Sequence, residues 1–171
     1  MNNQLVIPIG TVDVPSTKKS FIAETHFVKN ITKNAPVKIA YLGDDFKAYF
    51  VGMPGWAFAK EEKPFKGSIL CYGELSYSSL DSYIITELGG EQKAETTLYE
   101  LFSLLQIQPN GESGVLLTDL TKKLCNAFYI KDIRGRLLPV SAFWNGKGWD
   151  MSTYPSYKWS VGTRFFFRKI H

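Results

Sequence analysis

Histidine and cysteine are almost missing from this chain of 171 residues: His26 and His171 are its histidines, Cys71 and Cys125 its cysteines. The four lie far apart, no CxxC pair occurs, and no spacing resembles a zinc site, so no metal is expected. Both cysteines sit among apolar neighbours, in SILCYG and KLCNAF, and read as buried free thiols of a reducing compartment. Long apolar runs are missing too. No stretch approaches the ~18 residues that span a bilayer. The opening MNNQLVIPIG lacks both the basic residue and the apolar length of a signal peptide. These absences predict a cytoplasmic protein with no membrane part and no cofactor.

Catalytic signatures are the third absence. GESG at 111–114 lacks the second spacer of a nucleophile elbow, and Gly89-Gly90 is not followed by the GK[ST] of a phosphate loop. GDD at 43–45 reads as a tight turn between strands, where glycine supplies positive φ and aspartate caps its own backbone. A nucleophile pair of Cys125 or Cys71 with His26 can be drawn, which leaves a Cys-dependent enzyme as a third reading. No catalytic residue is assigned, and the chain reads as non-enzymatic.

What is abundant is aromatic: 25 rings, 15% of residues, a composition that favours β structure. Length and a 44% hydrophobic share predict one domain, 1–171, with its own core. Strands are expected in FIAETHFVKN, in SILCYGEL, in SYIITELGG, and on both sides of GDD in VKIAYLGDDFKAYFVG, which alternates as a β-hairpin does. Residues 1–20 read as an extended lead-in or edge strand. In TTLYELFSLLQIQPNG, Leu98, Leu101, Phe102 and Leu105 share one helical face. Thr97 and Glu100 stand at capping-box spacing, and Pro109-Asn110-Gly111 ends the segment, so a principal helix is expected over about 97–107. TDLTKKLCNA would add a short second helix. NAFYIKD, LLPVSAFW and GWDMSTY, separated by IRGR and NGKG, predict a second run of strands, and TRFFFRK a last one.

Two stretches share an order of aromatic, [VI]-K-[ND]-I, Pro-Val, Gly and aromatic: FVKNITKNAPVKIAYLGDDF and FYIKDIRGRLLPVSAFWNGKGW. They suggest a pseudo-repeat of β-meanders at about 21–52 and 126–154, although alternating hairpins resemble one another by chemistry alone. The fold class that follows is α+β: a mainly antiparallel sheet of two meander-like segments with one principal helix.

Charge divides the chain. Residues 1–119 carry 10 Lys/Arg and 14 Asp/Glu, a balance of −4, whereas residues 120–171 carry 10 Lys/Arg against Asp132 and Asp150, a balance of +8. Residues 81–119 hold seven carboxylates and only Lys93, and read as a solvated acidic face. If TRFFFRK is a strand, Arg164, Phe166 and Arg168 face one way and Phe165 and Phe167 the other. Phe165 and Phe167 then belong to the core. The opposite stripe would stack bases and neutralise phosphates. Arg134, Arg136, Lys147 and Lys158 stand in nearby turns, with Trp144, Trp149, Tyr154, Tyr157 and Trp159 close in sequence. The first reading is therefore a binding module for an anionic partner, favoured to be single-stranded nucleic acid, held by Arg134, Arg136, Lys147, Trp149, Lys158, Arg164, Phe166 and Arg168. Packed rings with cations on a solvated edge are the plainer account of the same residues. The alternative function is an assembly subunit in which segment 81–119 meets the basic half of an acidic-basic partner protein or of a second copy.

Overall fold

Burial of aromatic strands between helical layers organises this chain, and the computed structural model describes it over residues 3–55, 58–154 and 158–169. Tyr157 and His171 lie outside the described residues. The elements run β1 (Val6–Val14), β2 (Phe21–Ile22), α1 (Ala23–His26), β3 (Ile39–Leu42) and α2 (Asp44–Phe46), which continues into a π-helical turn, Lys47–Val51. Next come β4 (Glu61–Glu62), β5 (Ser68–Leu75), β6 (Ser79–Leu80), α3 (Asp81–Glu87), α4 (Glu91–Ala94), β7 (Glu95–Thr96) and α5 (Leu98–Ile107). The chain closes with β8 (Asn126–Lys131), β9 (Leu137–Trp144), β10 (Trp149–Thr153), β11 (Lys158–Trp159) and β12 (Arg164–Arg168). The fold is α+β, built on one large mixed sheet in the order β1-β5-β12-β8-β9-β10-β3, with β7 also on β8. Its pairs are antiparallel except β12 with β8, β7 with β8, and β10 with β3.

The middle of the sheet is covered on both faces. Phe128, Ile130 and Phe166 enter one core with Val140, Ala142, Trp149 and Met151. Ala127, Tyr129, Phe165 and Phe167 enter a second core on the other side. That is why β8 and β12 read as continuous apolar runs without a polar face.

Helix α5 seals the first face with Leu98, Leu101, Phe102 and Leu105, all buried. Its start is over-determined. Thr97 Oγ1 accepts from Glu100 N at 3.1 Å, and Glu100 Oε2 accepts from Thr97 N at 2.8 Å. Glu62 of β4 then reaches across the helix end, its two oxygens accepting from Leu98 N at 2.9 Å and Tyr99 N at 2.8 Å. Carboxylates suit a helix N-terminus because four amides there have no partner within the helix.

On the second face, Ile84 and Leu88 of the α3 region and Ala94 of α4 pack on Tyr129, Phe165 and Trp159. Asp81, at the start of α3, accepts from the Tyr129 hydroxyl at 2.7 Å and from Trp159 Nε1 at 2.6 Å.

Four expectations of local structure are corrected. SYIITELGG is helix α3 and not a strand: its β-branched residues suggested a strand, but Ile84 and Leu88 lie one helical turn apart. Gly89 and Gly90 then end it with φ of 98° and 96°. The stretch around GDD is not a hairpin. Only Ile39–Leu42 is extended, and Gly43 caps a helical segment that buries Phe46 and Phe50, four apart. Apolar residues at 46, 50 and 51 satisfy a helical period as well as an alternating one, and burial selects the helical one. FIAETHFVKN is a strand only at Phe21–Ile22, with an isolated bridge from Asn30 to Ile39; between them Ala23–His26 is a helical turn, and Ala23 and Phe27 are buried. Residues 21–52 therefore form no meander. TDLTKKLCNA is turns followed by β8, with Lys123 at φ 50°. Asn126 holds this segment instead, accepting from Leu117 N at 2.8 Å and donating to Leu117 O at 3.1 Å. Among the described residues no helix is long and apolar enough to cross a membrane.

A candidate ligand groove on the open sheet face

The core under α3 and α4 centres on β5, β8 and β12, with Val6 of β1 and Leu137 of β9 at its margin, and the residues of β10, of β3 and of the rest of β9 on this second face lie outside it. Register decides what is displayed there. Asp150 of β10 stands opposite Phe143 of β9 and opposite Tyr41 of β3, and Ser152 stands opposite Ser141. Their chain neighbours Trp149, Met151 and Ala142 go to the core, so these five point to the open side. With Tyr154, Cys125 and the edge of Trp159 they line a groove of about 350 Å³. Tyr41 and Tyr154 are 51% and 41% exposed.

The polar floor is preorganised. Asn145 Oδ1 accepts from Lys147 N at 2.8 Å and Gly148 N at 3.0 Å, which fixes the β9–β10 turn. Its Nδ2 donates to Asp150 Oδ1 at 2.9 Å. Burial raises the Asp150 carboxyl above the usual aspartate range, against the lowering pull of that hydrogen bond. Gly148 is required where it stands, since a Cβ there would lie 2.8 Å from Ala40 N and 2.9 Å from Ala40 Cβ.

Strand β11 separates this groove from a second one of about 770 Å³ beside α3. Trp159 walls the first, and Lys158 lines the second together with Tyr77, Leu80 and Tyr83. Tyr77 is 52% and Tyr83 65% exposed.

The eight residues singled out from the sequence do not form one surface. Trp149 is fully buried, its indole N–H donating to Gln108 O at 3.0 Å. Phe166 is fully buried and stacked on Phe128, ring centres 4.7 Å apart and planes 4° apart. Neither ring can meet a ligand, because α5 covers the face that strand parity alone leaves to solvent. Arg164 pairs with Glu74 at 2.6 Å, donates to Val115 O at 2.7 Å and lies over Tyr72. Arg168 is bound to Glu100, and Arg136 grips Asp132 through Nε at 2.9 Å and Nη2 at 2.7 Å. These arginines hold the fold. Arg134 is exposed in the Asp132–Arg136 turn, at the far end of the sheet from Lys147. Of the eight, only Lys158 lines either groove, and Lys147 is exposed in the β9–β10 turn next to Asn145.

The acidic segment is a solvated face only in part, with Glu87, Glu91, Glu112 and Asp119 exposed. Glu100 is fully buried, and Glu95 pairs with Lys131 at 2.9 Å, so the two halves neutralise each other in part within one chain. Burial raises the Cys125 thiol to about 11 and raises Cys71 also, the opposite of what a thiolate nucleophile needs. Among the described residues no group of three metal-ligating side chains occurs.

Reasoning from the sequence missed Tyr41, Phe143 and Asp150, and placed Tyr154 only as a ring close to the candidate residues. The signal was present in Trp149-Asp-Met-Ser-Thr153, where alternation assigns Trp149 to the core and Asp150 to solvent. No family model, curated protein or solved structure matches the chain.

Proposed function

We propose that this protein is a non-enzymatic binding module for single-stranded nucleic acid, held on the open sheet face over β3, β9 and β10 and passing β11 into the groove beside α3. One observation carries the reading: exposed rings lie on both sides of β11, with Lys158 on the strand between them. Tyr41, Phe143 and Tyr154 offer π-faces on one side, and Tyr77 and Tyr83 on the other. A polymer of flat bases with a charged backbone uses such a track in full, each stacked base contributing about 1–3 kcal/mol. Ser141, Ser152 and Asp150 supply hydrogen-bonding groups for base edges, while Lys147 and Lys158 meet phosphates.

Fluorescence anisotropy of a labelled single strand of about 12 nucleotides tests the proposal, within the usual site size for such grooves. Binding should be measurable at low salt. With two or three phosphate contacts, log K should fall with log salt at a slope of only about −1.4 to −2.1, from −0.7 per contact. No binding at low salt, or equal affinity for duplex DNA, would overturn it.

A further inference from the structure

Across the three open strands, the row Tyr41–Asp150–Phe143 places an acceptor-only group between two rings. Strands lie ~4.8 Å apart, so the two rings rise from backbones separated by ~10 Å. A base stacked on both sides needs ~7 Å between ring planes, so each ring would have to lean inward by ~1.5 Å from that spacing to grip one. A base entering edge-on would bring its pairing edge down to Asp150. We propose that this row selects guanine, an inference that rests on the nucleic-acid reading of the groove.

The chemistry is one of matching. An ionised carboxylate accepts and does not donate. Guanine presents two adjacent donors, N1–H and the N2 amino group, on its pairing edge. Adenine and cytosine each present one donor beside a bare ring nitrogen, and thymine one donor between two carbonyls, so each turns at least one lone pair toward the carboxylate. Asn145 fixes the carboxylate without using up its capacity: it occupies one site on Oδ1, leaving Oδ2 and the second Oδ1 lone pair to accept. Asn145 is itself anchored by the amides of Lys147 and Gly148, so the acceptor geometry is set by the turn before any ligand arrives. Two residues along each strand, on the same face, Ser141 and Ser152 carry hydroxyls that can donate to guanine O6. Partial burial of Asp150 strengthens its hydrogen bonds relative to bulk water.

The test uses the full chain and labelled oligo-dT strands carrying one central dG, dA, dC or deoxyinosine, read by anisotropy. The dG strand should bind about tenfold tighter or more than the dA and dC strands, as a bidentate pair does. Deoxyinosine, which keeps N1–H and lacks the amino group, should fall between. Asp150→Asn, which can accept through only one oxygen, should bring the dG and dA affinities to within about threefold of each other; near-ultraviolet circular dichroism checks that it is folded. Equal affinity of the unsubstituted chain for all four strands would overturn guanine selection and leave strand binding standing. Failure of every strand to bind would overturn both. The inosine arm needs no mutant, so misfolding of the variant cannot rescue the idea.

Discussion

Glu100 at the start of α5 and Arg168 at the end of β12 form an ion pair whose carboxylate is fully buried. Thr97 N donates to the same carboxylate at 2.8 Å and Ser68 Oγ at 2.6 Å, so one side chain ties the helix cap to two strands. Removing the cation leaves a buried charge short of partners. Arg168→Met should therefore lower stability by about 3–5 kcal/mol in urea melts. The Glu100→Gln/Arg168→Met double variant should lose less than the sum of the single losses. An additive result would show that the pair is not coupled.

Two rings once placed on the ligand side should behave as core. Phe166→Ala should cost about 3–5 kcal/mol of stability through the cavity left beside Phe128. Trp149→Phe should cost about 0.5–1.5 kcal/mol for the lost indole hydrogen bond, since the Gln108 carbonyl keeps the Gly111 amide as a donor. Both losses would be read from denaturant midpoints. Oligonucleotide affinity of the folded variants should stay within about twofold of the parent, since neither ring reaches the groove.

The open face should respond in the reverse sense. Tyr41→Ala and Phe143→Ala should each weaken single-strand binding by about 5- to 150-fold, the equivalent of one stacked base. Tyr41 is half exposed, so its loss should shift the melting temperature little. Unchanged affinity in both variants would remove this groove as the binding surface.

Asp150 gives a pH signature. Its carboxyl is raised above the ordinary aspartate value, so just above that value the native state holds more protons than the unfolded one. Stability then falls as pH rises through the window, because the slope follows protons bound in the unfolded state minus those in the native state. The cost is full at neutral pH and disappears below the ordinary aspartate range. Asp150→Asn should therefore be at least as stable as the parent at pH 7, with the difference closing toward pH 4 in thermal melts. A variant less stable at pH 7 would show that the Asn145 hydrogen bond outweighs desolvation.

Cys125, its thiol raised to about 11, should resist alkylation in the native state at pH 8 and react at the rate of an ordinary thiol only in denaturant. Fast native labelling would contradict the raised thiol of this half-buried side chain.

The principal lesson lies in how far local rules carry. Thr97, Glu100 and the apolar positions 98, 101, 102 and 105 specify their helix from sequence, because capping and the 3.6-residue period act within a few residues. β8, β9, β10 and β12 are legible for the same kind of reason: their runs are apolar and their turns carry glycine or asparagine. Which face each strand buries is not legible. Phe166 and Trp149 alternate correctly, yet the solvent side they suggested exists only if nothing covers it, and α5 arrives from another part of the chain to cover it. Conversely, Tyr41 faces the groove because a parallel pairing sets β3 beside β10, more than 100 residues away in sequence. The charge division along the chain does not become a basic surface, since Arg164, Arg168 and Arg136 pair with Glu74, Glu100 and Asp132. Sequence determined α5 and the strands β8, β9, β10 and β12; only the tertiary structure decided the period of the ambiguous segments and which aromatic and charged side chains remained outside, because burial is a property of the layers that meet.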